Sequence, residues 1–195
     1  MSIYMMTDNL CYIILVHFNS LVDTRNCLSS INNSSSKNYK IIIVDNNSSD
    51  DSCNILRKEF SNNNKIIFIG STYNGGYGYG LNLGIKYSLS KKECKYLWMI
   101  NNDVLITKYA LEELLISEHS ADENYVWGNK VLNINDTIQS LGCTLNKYFM
   151  STVHNYKNYD NFNLNIYKNK IDYIHGCSIF LRKDIINVVG LFDEN

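Results

Sequence analysis

The stretch Tyr96-Leu97-Trp98-Met99-Ile100-Asn101-Asn102-Asp103-Val104 decides the fold of this chain. Its apolar first part, rich in β-formers, reads as a buried strand. The strand runs through two asparagines into a lone carboxylate. In open α/β sheets ligands bind in the crevice outside the C-terminal strand ends, which makes Asp103 a candidate site residue. Asn and Asp are also common in turns and caps, so this stretch alone leaves both readings open.

Working outward, Tyr12 to Val16 is a second buried-strand run, followed by a helix over Leu21 to Ile31 whose Thr24, Cys27, Leu28 and Ile31 keep helical spacing. A Ser-rich loop at Ser34 to Ser36 ends it. Lys40 to Val44 is a strand, and Asp50 can cap a helix through Ile55, Leu56 and Phe60. Lys65 to Ile69 is a strand, a Gly-rich turn follows, and Leu81, Ile85 and Leu89 form the next helical stripe. A helix over Thr107 to Ser117 follows the Tyr96 strand. Strands alternating with helices predict a mostly parallel, doubly wound α/β sheet with helices on both faces, Rossmann-like in plan. Beyond Tyr125 the pattern changes to shorter strands and polar connections. Asn155 to Asn169 reads as a surface loop, Ile171 to Ile174 and Ser178 to Leu181 as strands, and Lys183 to Val188 as a short helix.

The 195 residues suit one domain with a sizeable core, and the net charge of -1 gives no electrostatic case for nucleic acid. Cys11, Cys27, Cys53, Cys94, Cys143 and Cys177 lack paired ligand spacing, and several lie in apolar runs where Cys acts as a small hydrophobe. They predict a reduced, intracellular chain. The stretch before Tyr12 has no basic start, and no apolar run reaches the roughly 18 residues of a membrane span.

Asp45 ends the Lys40 strand within Val44-Asp45-Asn46-Asn47-Ser48-Ser49-Asp50. Two carboxylates on the edge of one sheet can serve a nucleotide, one accepting from base or ribose and the other holding a metal on the phosphates. The rest of that run, Ser48 to Asp50, reads better as a helix cap. In Asn74-Gly75-Gly76-Tyr77-Gly78-Tyr79-Gly80-Leu81-Asn82-Leu83-Gly84, backbone N–H groups can approach phosphates. Helix glycines kept small for packing are the plainer alternative. The dinucleotide fingerprint fails, because after Gly78 and Gly80 the third glycine falls at Gly84 instead of position 83. His17 leaves the first strand and His175 ends a late one beside Gly176, so each is either a pocket edge or a structural histidine. His119 and His154 read as surface residues. No zinc spacing and no Ser-His-Asp order stands out.

In this order the pieces resemble a family-two glycosyltransferase of the GT-A fold, nearest to rhamnosyltransferase-like bacterial members. The resemblance runs from Tyr12 to Asn195. It rests on Val16-His17-Phe18-Asn19-Ser20, the Asp45 run, Asn74-Gly75-Gly76-Tyr77-Gly78 with Asn82 and Gly84, Asn101-Asn102-Asp103-Val104, His175-Gly176-Cys177, and Gly190-Leu191-Phe192-Asp193-Glu194. It implies a single domain over 1-195, with a nucleotide-binding part at about 11-104 and an acceptor-side part at about 125-195. The resemblance also implies a nucleotide set of Val16, His17, Phe18, Asn19, Asp45, Asn74, Gly75, Gly76, Asn82 and Asn102. Asp103 stands where the family holds Mg²⁺ or Mn²⁺ on the donor diphosphate, and His175 and Gly176 stand near the acceptor. Many relatives carry an acid where this chain has Asn101. One carboxylate with phosphates and water can still hold a hard cation, in a weaker site.

The implied activity is inverting transfer of a sugar from a nucleotide-sugar donor to a glycan or lipid-linked acceptor, in bacterial surface polysaccharide synthesis. The implied setting is cytoplasmic, at the inner face of the membrane, by peripheral association without a transmembrane segment. Relatives continue past the Phe192-Asp193-Glu194 motif into a Glu-Asp pair that supplies the general base. The expectation is therefore a chain truncated at its C-terminus, with the catalytic base beyond Asn195. The alternative is a nucleotide-sugar-binding fragment without turnover. A nucleotidyltransferase would show a basic Gly-rich signature soon after strand one, which is absent.

Overall fold

β1 (Leu10–His17) is an unbroken apolar run, and Cys11 to His17 are all buried. Such a run suits a strand covered on both faces, as in parallel sheets. A computed structural model describes residues 10–121, 126–146, 148, 151–154, 157 and 171–194. In it β1 pairs in parallel with β2 (Tyr39–Asp45) on one side and β4 (Cys94–Ile100) on the other. β3 (Ile66–Gly70) extends the sheet beyond β2. β10 (Ser178–Arg182) adds antiparallel to β4, and the two-residue β5 (Val126–Trp127) closes the order β3-β2-β1-β4-β10-β5. The mostly parallel α/β sheet is as the sequence predicts.

Side chains along β1 point alternately to opposite faces. Cys11, Ile13 and Leu15 join one core with α1 (Leu21–Asn32), α2 (Ser52–Glu59) and α4 (Ala110–His119). Tyr12, Ile14 and Val16 join the other with α3 (Gly76–Leu89) and the short α5 (Ile186–Val189), which a 3₁₀ turn over Lys183–Ile185 precedes. The buried stripe of α1 is Thr24, Cys27, Leu28 and Ile31, the spacing read from the sequence. All six cysteines are buried and none forms a disulfide. Two small hairpins, β6 (Val131–Leu132) with β7 (Ile138–Ser140) and β8 (Cys143–Asn146) with β9 (Ser151–His154), follow the main sheet's fifth strand.

Three expectations need correcting. The Gly-rich run is mostly helix, because α3 begins at Gly76. α4 starts at Ala110, since Thr107 is spent in a turn whose carbonyl accepts the Ala110 N–H at 3.1 Å. Ile171 to Ile174 forms no strand; only Tyr173 makes a bridge, to Cys143. Most of the 155–169 loop lies outside the described residues.

The glycines let α3 sit close on the sheet. A Cβ on Gly80 would lie 2.7 Å from a Val16 methyl, and one on Gly84 would lie 2.5 Å from Ile14 Cγ2. Gly84→Ala should therefore destabilise the chain. Alanine favours a helix by about 1 kcal/mol over glycine, but overpacking a buried contact costs about 1–3 kcal/mol. The urea midpoint of the variant is expected to fall; a rise would mean that Ile14 yields without cost.

Candidate functional site

Parallel pairing puts the C-terminal ends of β1, β2 and β4 on one edge, with His17 opposite Asp45 and Ile14 opposite Met99. β10 runs the other way, so its first residue, Ser178, pairs with Ile100 at the end of β4. The turn that precedes β10, with His175, Gly176 and Cys177, therefore arrives at the same edge. Asn101 N–H donates to the Cys177 carbonyl at 3.1 Å. The crevice between β1 and β4 is where the strand order reverses, the usual ligand position in such sheets.

Asp103 is exposed just past β4. Burial first, and then the charge of Asp103, push the Cys177 thiol up to about 11 and the Cys27 thiol up to about 12. The Tyr77 phenol is raised by burial, then by Cys177 and Asp103. Groups from α1, from the start of α3 and from the turn before β10 thus feel the charge of this carboxylate. Among the described residues no cluster of three or more His, Cys, Asp or Glu stands ready for a metal.

Asp45, half-buried, accepts the Ser48 N–H at 3.0 Å. The neighbouring Asn46 is buried and donates through Nδ2 to Asn74 Oδ1 at 2.8 Å and to the Gly76 carbonyl at 3.1 Å. Asn74 Oδ1 also receives the Gly76 N–H at 3.0 Å, and Gly76 has a left-handed φ of 84°. The end of β2 and the start of α3 are thereby tied together. Among the described residues Asn46 Oδ1 is buried without a partner, an acceptor left open beside the Gly-rich start of α3. The sequence reading passed over Asn46, whose place directly after a strand-end Asp was the available signal.

The side chains of several residues in the expected nucleotide set have partners within the fold, while the expected contact along 16–19 is through the backbone. The Val16 side chain is core, beneath Gly80. Asn82 is fully buried: Nδ2 donates to the Phe192 carbonyl at 2.9 Å and to Glu194 Oε1 at 2.7 Å, and Oδ1 accepts the Phe192 N–H at 3.0 Å. It seats the C-terminal segment on α3. Asn102 Nδ2 donates to Thr24 Oγ1 at 2.9 Å. Asn19, at φ 50°, stitches its loop to the next one, donating to Ser49 Oγ at 2.9 Å and accepting the Ser49 N–H at 2.8 Å. Asn tolerates that left-handed backbone better than most residues. Phe18 is 43% exposed at the rim. The N-cap of α2 is Asp51 and not Asp50, which lies one position upstream and accepts the Ser52 N–H at 3.1 Å.

The two histidines separate. His17 is fully buried, with Nδ1 2.8 Å from Thr24 Oγ1 and Nε2 2.8 Å from Ser52 Oγ, so its side chain does not line the crevice. His175 lies partly exposed, its Nδ1 accepting the Cys177 N–H at 3.3 Å. It borders a cavity of about 700 Å³ lined also by Trp127, Asn129, Lys130 and Tyr173. Asn129 Oδ1 accepts from Ser178 Oγ at 2.6 Å, and Ser178 accepts the Trp98 indole at 2.9 Å, anchoring that cavity to β4 and β10.

A doubly wound, mostly parallel sheet with helices on both faces makes this an α/β domain of the GT-A type. The chain belongs to Glycosyl transferase family 2, whose sequence profile matches residues 12–189. The fold is similar to that of S. aureus TarS 1-349 in complex with UDP, at 15% identity and TM-score 0.65, covering 94% of this chain and 50% of that one. It is likewise similar to the mannosyltransferase PcManGT from Pyrobaculum calidifontis in complex with GDP-Man and Mn²⁺, at 10% identity and TM-score 0.65, covering 95% and 48%. The chain spans about half the length of these structures. Comparison with curated proteins gave no match.

Two outcomes follow from these contacts. Asn82→Ala leaves the Phe192 backbone groups without partners and should cost about 1–3 kcal/mol, read by urea unfolding; nucleotide affinity should be unchanged. Burial lowers the pKa of His17 against the opposing charges of Asp45 and Asp50. The unfolded chain then binds the proton more readily, so stability present above about pH 6.5 is lost as pH falls toward the folded pKa. Denaturation at neutral and mildly acidic pH checks this, and His17→Gln should flatten the slope.

Proposed function

We propose that the chain binds a nucleoside-diphosphate sugar in the β1–β4 crevice and serves transfer of the sugar to an acceptor. The observation that carries this is the common edge shared by Asp45 and Asp103, on opposite sides of β1, with the Gly-rich start of α3 beside them. Asp45 then takes the base or ribose side, together with the rim at Phe18 and the backbone of 16–19. Asn46 Oδ1, buried without a partner among the described residues, is an acceptor that a ligand hydroxyl can satisfy; an unmet buried acceptor costs about 1–3 kcal/mol. Asn74, Gly75 and Gly76 border the ribose and sugar.

Asp103 faces the diphosphate in this reading. A lone exposed carboxylate beside a diphosphate repels it unless a cation lies between them. One carboxylate plus phosphate oxygens suits Mg²⁺ or Mn²⁺, which keep several waters and need few protein ligands. The two likened structures, one with UDP and one with GDP-Man and Mn²⁺, support this choice of ligand. The acceptor, a glycan or a lipid-linked glycan, belongs at the His175–Cys177 turn, where Trp127 and Tyr173 offer apolar ring faces in the adjoining cavity. Inversion at the anomeric carbon, surface polysaccharide synthesis and a place at the inner membrane face complete the proposal. They rest on the family resemblance. Among the described residues no helix is long and apolar enough to cross a membrane.

A donor-binding role without turnover is the second reading, favoured by one contact. Glu194 accepts from Asn82 and lies 3.6 Å from Lys86 Nζ, so it is engaged on α3 instead of standing ready as a general base.

Calorimetry with uridine, thymidine and guanosine diphosphates tests the first reading. Binding should be stronger with Mn²⁺ than with chelator. Asp103→Ala should lower the metal-dependent affinity about tenfold, or about 1.4 kcal/mol, with circular dichroism unchanged. Asp45→Ala should weaken binding with or without metal. Absence of binding to all three nucleotides would overturn the proposal.

A further inference from the structure

Asn102, Thr24, His17, Ser52 and Asp50 form one hydrogen-bonded chain across α1, β1 and the start of α2. Its proton positions follow from its end. The Asp50 carboxylate can only accept, so the Ser52 hydroxyl donates to it. Ser52 Oγ, 2.8 Å from His17 Nε2, must then accept, which puts the ring proton on Nε2. In a neutral imidazole Nδ1 is then the acceptor, so Thr24 donates to it and its oxygen is left to receive Asn102 Nδ2. Every member is satisfied in one arrangement only.

We infer that neutral His17 is a positioning residue for the Asp103 turn, holding Asn102 through Thr24, and that protonating His17 loosens that turn. The inference rests on the reading of Asp103 as the acid facing the donor diphosphate. An imidazolium donates from both nitrogens. The Thr24 hydroxyl proton then loses its acceptor and must turn within a fully buried space, while its oxygen has to take both the ring's new N–H and Asn102 on its two lone pairs, which shifts the Asn102 contact. Asn102 directly precedes Asp103, so a slackened Asn102 moves the carboxylate's backbone. The charged groups that face the ring are Asp45 and Asp50, from the end of β2 and the loop before α2. α1 presents Thr24 and α2 presents Ser52, neither of which ionises in this range. Asp50 is held below the usual carboxylate range, first by the Ser52 hydroxyl, so it remains an acceptor while His17 titrates.

Nuclear magnetic resonance of the whole chain without ligand tests the coupling, titrated from about pH 7.5 to about pH 5, where His changes charge. The ring ¹⁵N shifts should show the Nε2–H tautomer at the upper end. The Asn102 side-chain amide and the Asp103 backbone amide should move with the His17 midpoint. Thr24→Val removes the relay oxygen and should at least halve the Asp103 response while His17 still titrates. Stationary Asp103 signals during His17 titration, or an Nδ1–H tautomer, would overturn the inference. A second arm measures uridine diphosphate affinity with Mn²⁺ across the same window, wild type against His17→Gln. The nucleotide's own protonation cancels in that ratio. The wild type should lose about threefold more affinity than the variant toward low pH, about 0.65 kcal/mol. A flat ratio would overturn the positioning role. Absence of nucleotide binding in both, with the coupled resonance shifts intact, would instead overturn the donor-site reading.

Discussion

Burial of β1 on both faces, between two parallel neighbours, is the constraint on which everything else depends. Its alternate side chains belong to two different cores, so a shift of one residue would exchange Ile13 and Leu15 for Ile14 and Val16 in both. No such slip is tolerable. The register with β2 and β4 is therefore fixed, and with it the alignment of His17, Asp45 and the Asn101–Asp103 turn. α3 adds the second lock, because Gly80 and Gly84 place its backbone against Val16 and Ile14. The site at the strand ends inherits its precision from contacts that contain no functional group.

What the sequence made legible is what local pattern can carry. Apolar runs bounded by polar turns located β1 to β4, and the spacing of Thr24, Cys27, Leu28 and Ile31 located α1 and its buried face. Asp45 and Asp103 were legible as strand-end acids for the same reason. Where the reading missed, a distant partner decided. The Gly-rich run looks like a turn in isolation and is helical because Val16 and Ile14, some way back in the chain, require a close approach. Asn82 looks like a pocket amide, but its partners lie 110 and 112 residues away. His17 looks like a rim residue until Thr24 and Ser52, 7 and 35 residues on, are folded around it. The direction of β10, which brings the Cys177 turn to the end of β4, has no signature in its own five residues.

Polar side chains near the crevice fall into two kinds. Asn19, Asn82 and Asn102 spend their amides on tying loops and segments together, while Asp45, Asn46 and Asp103 keep acceptor capacity toward the edge. Asn is well suited to the first kind. It donates and accepts at once, tolerates left-handed backbone and adds no charge beside two carboxylates.

The six buried thiols carry a consequence for handling the molecule. Burial raises the pKa of Cys11, Cys27, Cys53, Cys94 and Cys177, so the folded chain presents almost no thiolate to an oxidant or an alkylating reagent. Unfolding exposes all of them together, and a pairing formed then need not respect the native register of the sheet. A reducing solution therefore favours reversible folding. In air, each excursion to the unfolded state is a chance of permanent loss, and the lifetime of a preparation measures how often the sheet opens.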